Sequence, residues 1–292
     1  MWMSNVQPTE KNDKRPEILE SKVATNKTAL TPFLKWPGGK RWFVKQYADV
    51  LPECFNRYIE PFLGSGAVYF HLAPENAILA DLNADLINTY HVVRDYSGLL
   101  EELLQFHQKK HSSAYYYHMR DVIPGDPVAR AARFIYLNRT CWNGLYRVNR
   151  RGEFNVPIGT KNSVLLDSDN FTALSALLRS ATIHVAEFEE LINLAVRGDF
   201  IFVDPPYTVK HNNNGFLKYN EHMFSWSDQI RLAESLTHAS RRGARFVMTN
   251  ADHASIRELY SNFTCHSVRR YSVLSGNAHA RGLTTELIIT NT

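Results

Sequence analysis

Short strand patterns alternate with helix patterns at both ends of this chain, and the alternation stops in the middle. RYIE (57–60) and AILAD (77–81) flank the helix pattern GAVYFHLA, and TIHVAE (182–187), FIFVD (200–204), ARFVMTN (244–250) and ELIIT (286–290) follow later. Amphipathic stretches such as DQIRLAESLTHASRR lie between most of them. The run FIFV is apolar on both faces, as a strand of a buried parallel sheet must be. Parallel neighbours need crossover helices, so this alternation predicts an α/β fold with a doubly wound sheet. From about 88 to 180 strand signals are few: INTYHVVRDYSGLLEELLQFHQKK and DPVARAARFIYLNR read as helices. GLYRVNRRGEFNVPIG then alternates and turns near RRGE, as a β-hairpin with a long tip does. The simplest organisation is a discontinuous α/β domain of residues 31–87 and 181–292, interrupted by a mostly helical domain of residues 88–180. A length of 292 residues suits two such domains.

Residues 1–30 are polar and mixed in charge, lack an apolar signal-peptide core, and are expected to form a disordered tail. No run of about 18 apolar residues occurs, so no membrane span is expected. Cys54, Cys141 and Cys265 are far apart and odd in number, which points to a reducing compartment, with neither a disulfide framework nor a metal site expected. A formal net charge of +4 is compatible with an anionic partner without requiring one.

Chemistry is concentrated at the strand ends. In FVDPPYTV, Asp204 closes an apolar strand, and Pro205 and Pro206 stop the ladder because neither has an N–H to donate. Carboxylate and carbonyl oxygens then stand beside the ring of Tyr207, a set suited to a flat ligand bearing an NH₂ group. A turn whose Asp caps the next helix would read the same way. In YIEPFLGSGAVYF, Gly64 and Gly66 fall between a strand and a helix, where a ligand can approach the backbone closely; a plain tight turn has the same pattern. Asp81 ends the next strand, where an acid can accept both hydroxyls of a ribose; NAD would use the same pairing, although the loop lacks a third glycine. Upstream, in FLKWPGGKRW, Lys40 opens a helix after a Pro-Gly-Gly turn, where it can reach an anionic group, and Trp36 can cover an apolar one.

Taken in order, FLKWPGGK, EPFLGSGAVYF, DLNADLI, NGLYRVNRRGEFNVPIG and DPPY resemble the Dam-type family of DNA adenine-N6 methyltransferases across about residues 31–292. The resemblance implies a Rossmann-like methyltransferase sheet with an inserted DNA-recognition domain, a monomer in the cytoplasm, and association with the nucleoid through DNA. It implies S-adenosylmethionine as cofactor, bound by Trp36, Lys40, Phe62, Gly64, Gly66, Asp81, Glu187, Phe188 and Asp204. It makes Asp204, Pro205 and Tyr207 catalytic, acting on an adenine flipped out of duplex DNA.

From Arg130 to Arg151 the chain carries six arginines and no acid, interleaved with Phe134, Tyr136, Trp142 and Tyr146. Such a basic, aromatic stretch suits phosphate contact and groove insertion, although a solvated basic helix over a core stripe would look alike. Arg269, Arg270 and Arg281 flank a second expected loop with phosphate contacts. The expected DNA-binding set is Arg139, Trp142, Asn143, Leu145, Arg147, Asn149, Arg150, Arg151 and Pro157. By resemblance the target is GATC: Arg147 reads the guanine 5′ to the adenine, Leu145 and Pro157 touch thymine methyl, Asn143 makes a polar base contact and Trp142 wedges into the stack. Trp142 is bulkier than the aromatic residue expected at that position, and Tyr146 stands where a small residue is expected. Relatives reading longer sites beginning in GA share part of this hairpin. An RNA adenine or guanine methyltransferase can use a similar D-P-P-Y site, but usually without the central insertion and the WPGGK element. A non-catalytic DNA-binding regulator would not need Asp204, Pro205 and Tyr207 intact, and an NAD oxidoreductase leaves D-P-P-Y and the arginines unexplained.

Overall fold

The computed structural model describes residues 30–144, 146–149, 152–210, 224–271 and 283–292. Leu145, Arg150, Arg151 and Arg281, and most of the tail, lie outside them. Seven strands form one sheet: β1 (Tyr58–Glu60), β2 (Ala77–Ala80), β3 (Ala181–His184), β4 (Phe200–Val203), β5 (Arg245–Ala251), β6 (Thr264–Tyr271) and β7 (Leu283–Thr290). Their order is β3-β2-β1-β4-β5-β7-β6. The pairs from β3 to β5 are parallel, and β7 runs antiparallel to both β5 and β6. This is the doubly wound, Rossmann-like sheet expected from the strand–helix alternation. The seventh strand, β6, was not expected. Chain order reverses between β1 and β4, which makes that gap the topological switch point, where ligands of open α/β sheets bind.

The period-two geometry of the strands divides the core between the two faces. Phe200, Phe202, Tyr58, Leu79, Val247 and Ile288 belong to one buried cluster. Ile201, Val203, Ile59, Ile78, Met248 and Ile289 belong to the other. The second face is covered by α8 (Phe188–Asn193), α9 (Trp226–Arg241) and α10 (Ala254–Leu259). The first is covered by α1 (Arg41–Gln46), α2 (Ala67–Leu72) and α3 (Ala84–Asp95), then α4 (Ser97–Lys110), α5 (Ser113–Asp121), α6 (Pro127–Thr140) and α7 (Phe171–Leu178). Between β2 and β3 the chain is thus helical, and one continuous apolar cluster runs from the sheet into α6.

Helix α6 corrects the reading of the arginine-rich stretch. Asp126 caps it by accepting the Ala129 N–H at 2.8 Å, and Pro127 opens its first turn. Every residue from Ala131 to Thr140 is buried. Arg133 donates to the carbonyls of Met119 and Arg120, each at 2.6 Å. Arg139, expected on the DNA surface, is buried in a two-pronged pair with Asp169 at 2.5 and 2.8 Å, and it also donates to the carbonyls of Val164 and Phe33. Two carbonyls and a carboxylate take four of the five donors of this guanidinium, which lets it be buried, and here the helix supplies a core scaffold rather than a phosphate-facing surface.

Behind α6, the His107 ring stacks on Tyr136 at 4.9 Å and its Nδ1 lies 2.8 Å from the Tyr115 hydroxyl. Burial pulls the imidazole from 6.5 down to about 4. The folded protein therefore holds His107 neutral while the unfolded chain takes up a proton first. That contribution to stability is complete above pH 6.5 and is lost as pH falls toward 4, by about 3 kcal/mol at 1.4 kcal/mol per unit. His107→Phe is expected to flatten the fall in urea-unfolding free energy between pH 6.5 and 4. Parallel profiles for the two proteins would show that His107 does not titrate with folding.

Candidate active site

The two motifs singled out in the sequence meet across the switch point. Strand β1 delivers Glu60 and then the Phe62–Gly66 loop, and β4 next to it delivers Asp204, Pro205 and Tyr207. Lys40, immediately before α1, is buried and lies 2.7 Å from Asp204 Oδ1. The same oxygen accepts the Thr249 hydroxyl from β5 at 2.7 Å. Among the described residues, Oδ2 of Asp204 and the carbonyl oxygen of Pro205 accept no hydrogen bond. The Lys40 ammonium also donates to the Gly38 carbonyl at 2.8 Å and rests 5.1 Å from the centre of the Tyr207 ring. Burial, with the nearby Asp204 and Glu286 carboxylates, pushes the Tyr207 phenol well above its ordinary value.

The glycine loop is fastened from two sides. Asp81 accepts the Gly64 N–H at 3.0 Å and the Asn83 N–H at 2.9 Å, which joins the loop to the end of β2 and the cap of α3. Burial raises its carboxyl pKa against the pull of those amides. Tyr90, on α3, donates to the Gly64 carbonyl at 3.0 Å. Gly64 is at φ +47, and a Cβ there would fall 2.7 Å from Cδ1 of Trp36, so the indole closes over the loop only because the residue is glycine. Gly66, also at positive φ, caps α2.

Trp36 joins this loop to the inserted segment. Its ring stacks on Tyr146 at 5.0 Å and 18°, with Phe134 behind at 6.3 Å. On the opposite side of the sheet, Phe62 stacks on Phe188 at 5.6 Å, and Phe224 meets both rings edge-on. Phe188 is buried, whereas Glu187 is exposed at the start of α8, with its N–H donating to Glu190.

The hairpin expected after α6 is held by antiparallel bridges Cys141↔Ile158 and Val148↔Phe154. Trp142 is 53% exposed, Asn143 is exposed in the left-handed region at φ 58, and Pro157 is exposed beside them, its carbonyl taking the Trp142 N–H at 2.9 Å. Arg147 is exposed and donates from Nε to Asn155 at 3.0 Å. Asn149 shapes the turn through Glu153. The structure thus brings Trp142, Asn143, Arg147 and Pro157 to one exposed element, and separates Arg139 from them.

Glu60, Thr249 and Glu286, polar residues of this region, were not singled out from the sequence, and Arg270 was singled out for a different role. Glu60 is 3% exposed, accepts the Tyr58 hydroxyl at 2.9 Å, and is pushed well above the usual carboxylate range by burial, with Asp204 and Asp81 adding to the push. Thr249, Glu286 and Arg270 reach the same region from β5, β7 and β6. Arg270, expected to face phosphate, instead pairs with Glu286. An acid closing a strand in RYIE was the one available signal for Glu60; the others are visible only once the strands pair. Among the described residues no cluster of His, Cys, Asp or Glu could hold a metal ion, and no helix is long and apolar enough to cross a membrane.

A family model for D12 class N6 adenine-specific DNA methyltransferases matches residues 36–273. A type II methyltransferase of Lactococcus lactis subsp. cremoris is 36% identical over 275 residues, covering 91% of this chain and 97% of its own. A type II methyltransferase of Methanocaldococcus jannaschii is 36% identical over 288 residues, covering 90% and 99%. A DNA adenine methylase of Serratia marcescens is 33% identical over 264 residues, covering 88% and 96%. With the glycine loop and the Asp-Pro-Pro-Tyr strand end facing each other across the switch point, and the match extending over most of the chain, this protein belongs to the D12 class of N6 adenine-specific DNA methyltransferases.

Proposed function

We propose that the protein transfers a methyl group from S-adenosylmethionine to N6 of an adenine flipped out of duplex DNA, at GATC. The observation that carries this reading is Asp204: Lys40 and Thr249 engage Oδ1, and among the described residues no donor engages Oδ2 or the carbonyl of the next residue, Pro205. Two open acceptors on adjacent residues match the two hydrogens of an exocyclic amine. That nitrogen is a poor nucleophile because its lone pair is delocalised into the ring. Accepting both hydrogens favours a pyramidal nitrogen and stabilises the positive charge it gains. Tyr207 offers a ring on which the base can stack, which offsets part of the few kcal/mol that flipping costs. Fixing the base at the switch point supplies the orientation.

The residues fit the proposed methyl donor. A sulfonium is a cation, and Glu60, Asp81 and Asp204 lie close enough for the other two to raise the cost of ionising Glu60. Trp36, Lys40, Gly64, Gly66 and Asp81 would hold the donor on the β1 side, and Phe62, Glu187 and Phe188 the adenine end. When bound, S-adenosylmethionine supplies an electrophilic methyl, so no enzyme nucleophile is required.

Residues 31–87 and 181–292 would form the catalytic part and 88–180 the target-recognition part. Within the latter, Trp142, Asn143, Leu145, Arg147, Asn149, Arg150, Arg151 and Pro157 supply base and phosphate contacts, with Arg147 bidentate to guanine O6 and N7. The test is expression in a methylation-deficient host, followed by single-molecule mapping of N6-methyladenine. GATC methylation is the expected result. A longer motif containing GA would replace GATC, and a motif without a 5′ guanine would remove the role given to Arg147. Arg147→Ala is expected to cost on the order of 1–3 kcal/mol of discrimination at that guanine in competition assays between oligonucleotides. Uniformly weaker binding with unchanged preference would reassign it to phosphate.

A further inference from the structure

We infer that Glu286 and Arg270 are positioning residues for the reaction, acting through Tyr207; the inference rests on the reading of Tyr207 as the base-stacking ring. The Tyr207 hydroxyl donates to Oε2 of Glu286 at 2.7 Å, across 79 residues of sequence. The other carboxylate oxygen of Glu286 pairs with Nε of Arg270. In the antiparallel ladder Glu286 faces Val268, so Arg270, two residues on, stands diagonally on the same face of the sheet. Both side chains are shielded, at 5% and 17% exposure. The Arg270 guanidinium lies 5.6 Å from the centre of the Trp42 ring on α1, and Lys40, just before that helix, lies over Tyr207. The contacts close a ring from α1 through β6 and β7 to the strand end and back to α1.

Stability alone does not account for this arrangement. A buried ion pair is seldom better than apolar side chains of similar volume, whereas a ring tethered at its hydroxyl cannot tilt. The tether has an electronic consequence too. A phenol donating to an anion in a dry site has a more electron-rich face, and such a face attracts the positive charge that an adenine gains at N6 during transfer. Arg270, paired with the other carboxylate oxygen of Glu286, fixes the direction of that acceptor.

The experiment uses the full-length protein and duplex oligonucleotides. It reads the single-turnover methylation rate, the emission of 2-aminopurine at the target position, and the Kd for S-adenosylmethionine. Tyr207→Phe and Glu286→Ala are each expected to slow transfer by roughly 10- to 100-fold and to brighten the less firmly stacked 2-aminopurine, with the cofactor Kd unchanged. Glu286→Gln keeps an acceptor and should recover part of the rate. The double variant should be no slower than Glu286→Ala, since both changes break one link. A wild-type rate in Tyr207→Phe or Glu286→Ala, additive losses in the double variant, or loss of cofactor affinity in Glu286→Ala would each overturn the inference. A wild-type rate in Tyr207→Ala would instead remove the stacking reading, and the inference with it. A slow Tyr207→Ala beside a fast Glu286→Ala overturns the inference alone.

Discussion

Asp204→Ala is expected to reduce methyl transfer by at least about a thousandfold while binding of duplex DNA and S-adenosylmethionine survives. The magnitude follows from what is removed. A single preorganised group aimed at developing charge is worth roughly 10²–10³ in rate, and in the proposed mechanism the carboxylate also completes the geometry that makes the nitrogen nucleophilic. Binding should survive because the elements holding the glycine loop are other residues: Asp81 and Tyr90 fasten Gly64 without help from Asp204. The substitution does leave the Lys40 ammonium buried with the Gly38 carbonyl as its remaining hydrogen-bond acceptor among the described residues, so some loss of thermal stability will accompany it. Asp204→Asn separates the two effects. It keeps the volume and one acceptor oxygen but not the charge, and should fall between wild type and Asp204→Ala in rate. Single-turnover transfer from labelled cofactor, with calorimetric titration of both ligands, reads all three proteins. Near wild-type turnover in Asp204→Ala would end the proposed mechanism.

The parts of this fold that were legible in the sequence are those whose signal is local. FIFV is apolar at four successive positions because both faces of β4 are buried, and no partner needs to be known to see it. Asp204, Pro205 and Tyr207 lie within four residues of one another, and Gly64 and Gly66 are separated by one residue, so each group could be picked out before its surroundings were known. Strand β6 carried no such signal. TCHSVRRY lies at the sheet edge with Val268 as its buried apolar residue, and what makes it a strand is eight residues of pairing with β7. Thr249 and Glu286 escaped for a related reason: each is one of several polar residues on its strand, 45 and 79 positions from the group it holds, and nothing local marks it out. The stretch from Arg130 to Arg151 shows the opposite failure. Charge was legible there, but its partners were not, and an arginine facing Asp169 reads the same in sequence as one facing phosphate.

Arg139→Ala is therefore expected to destabilise the fold by about 3–5 kcal/mol, the cost of removing one partner of a buried pair. Its guanidinium is 4% exposed and Asp169 is 9% exposed, so the carboxylate left behind stays largely out of water. Losing the guanidinium also leaves the carbonyls of Val164 and Phe33 without that donor. These contacts tie α6 to the segment entering α7 and to the chain just before Trp36, so the damage should reach the Trp36–Tyr146 stack and, through it, the hairpin. The comparison that isolates the cause is Arg139→Met with Asp169→Leu, which removes both charges and fills similar space. It should recover a large part of the stability lost in Arg139→Ala. Urea unfolding of the three variants measures this directly. A DNA-contact role predicts a different pattern: an unfolding midpoint close to wild type, and a DNA affinity whose dependence on salt is shallower by about one phosphate. If Arg139→Ala shows that pattern, the arginine faces phosphate after all and the buried pair with Asp169 is not what holds it.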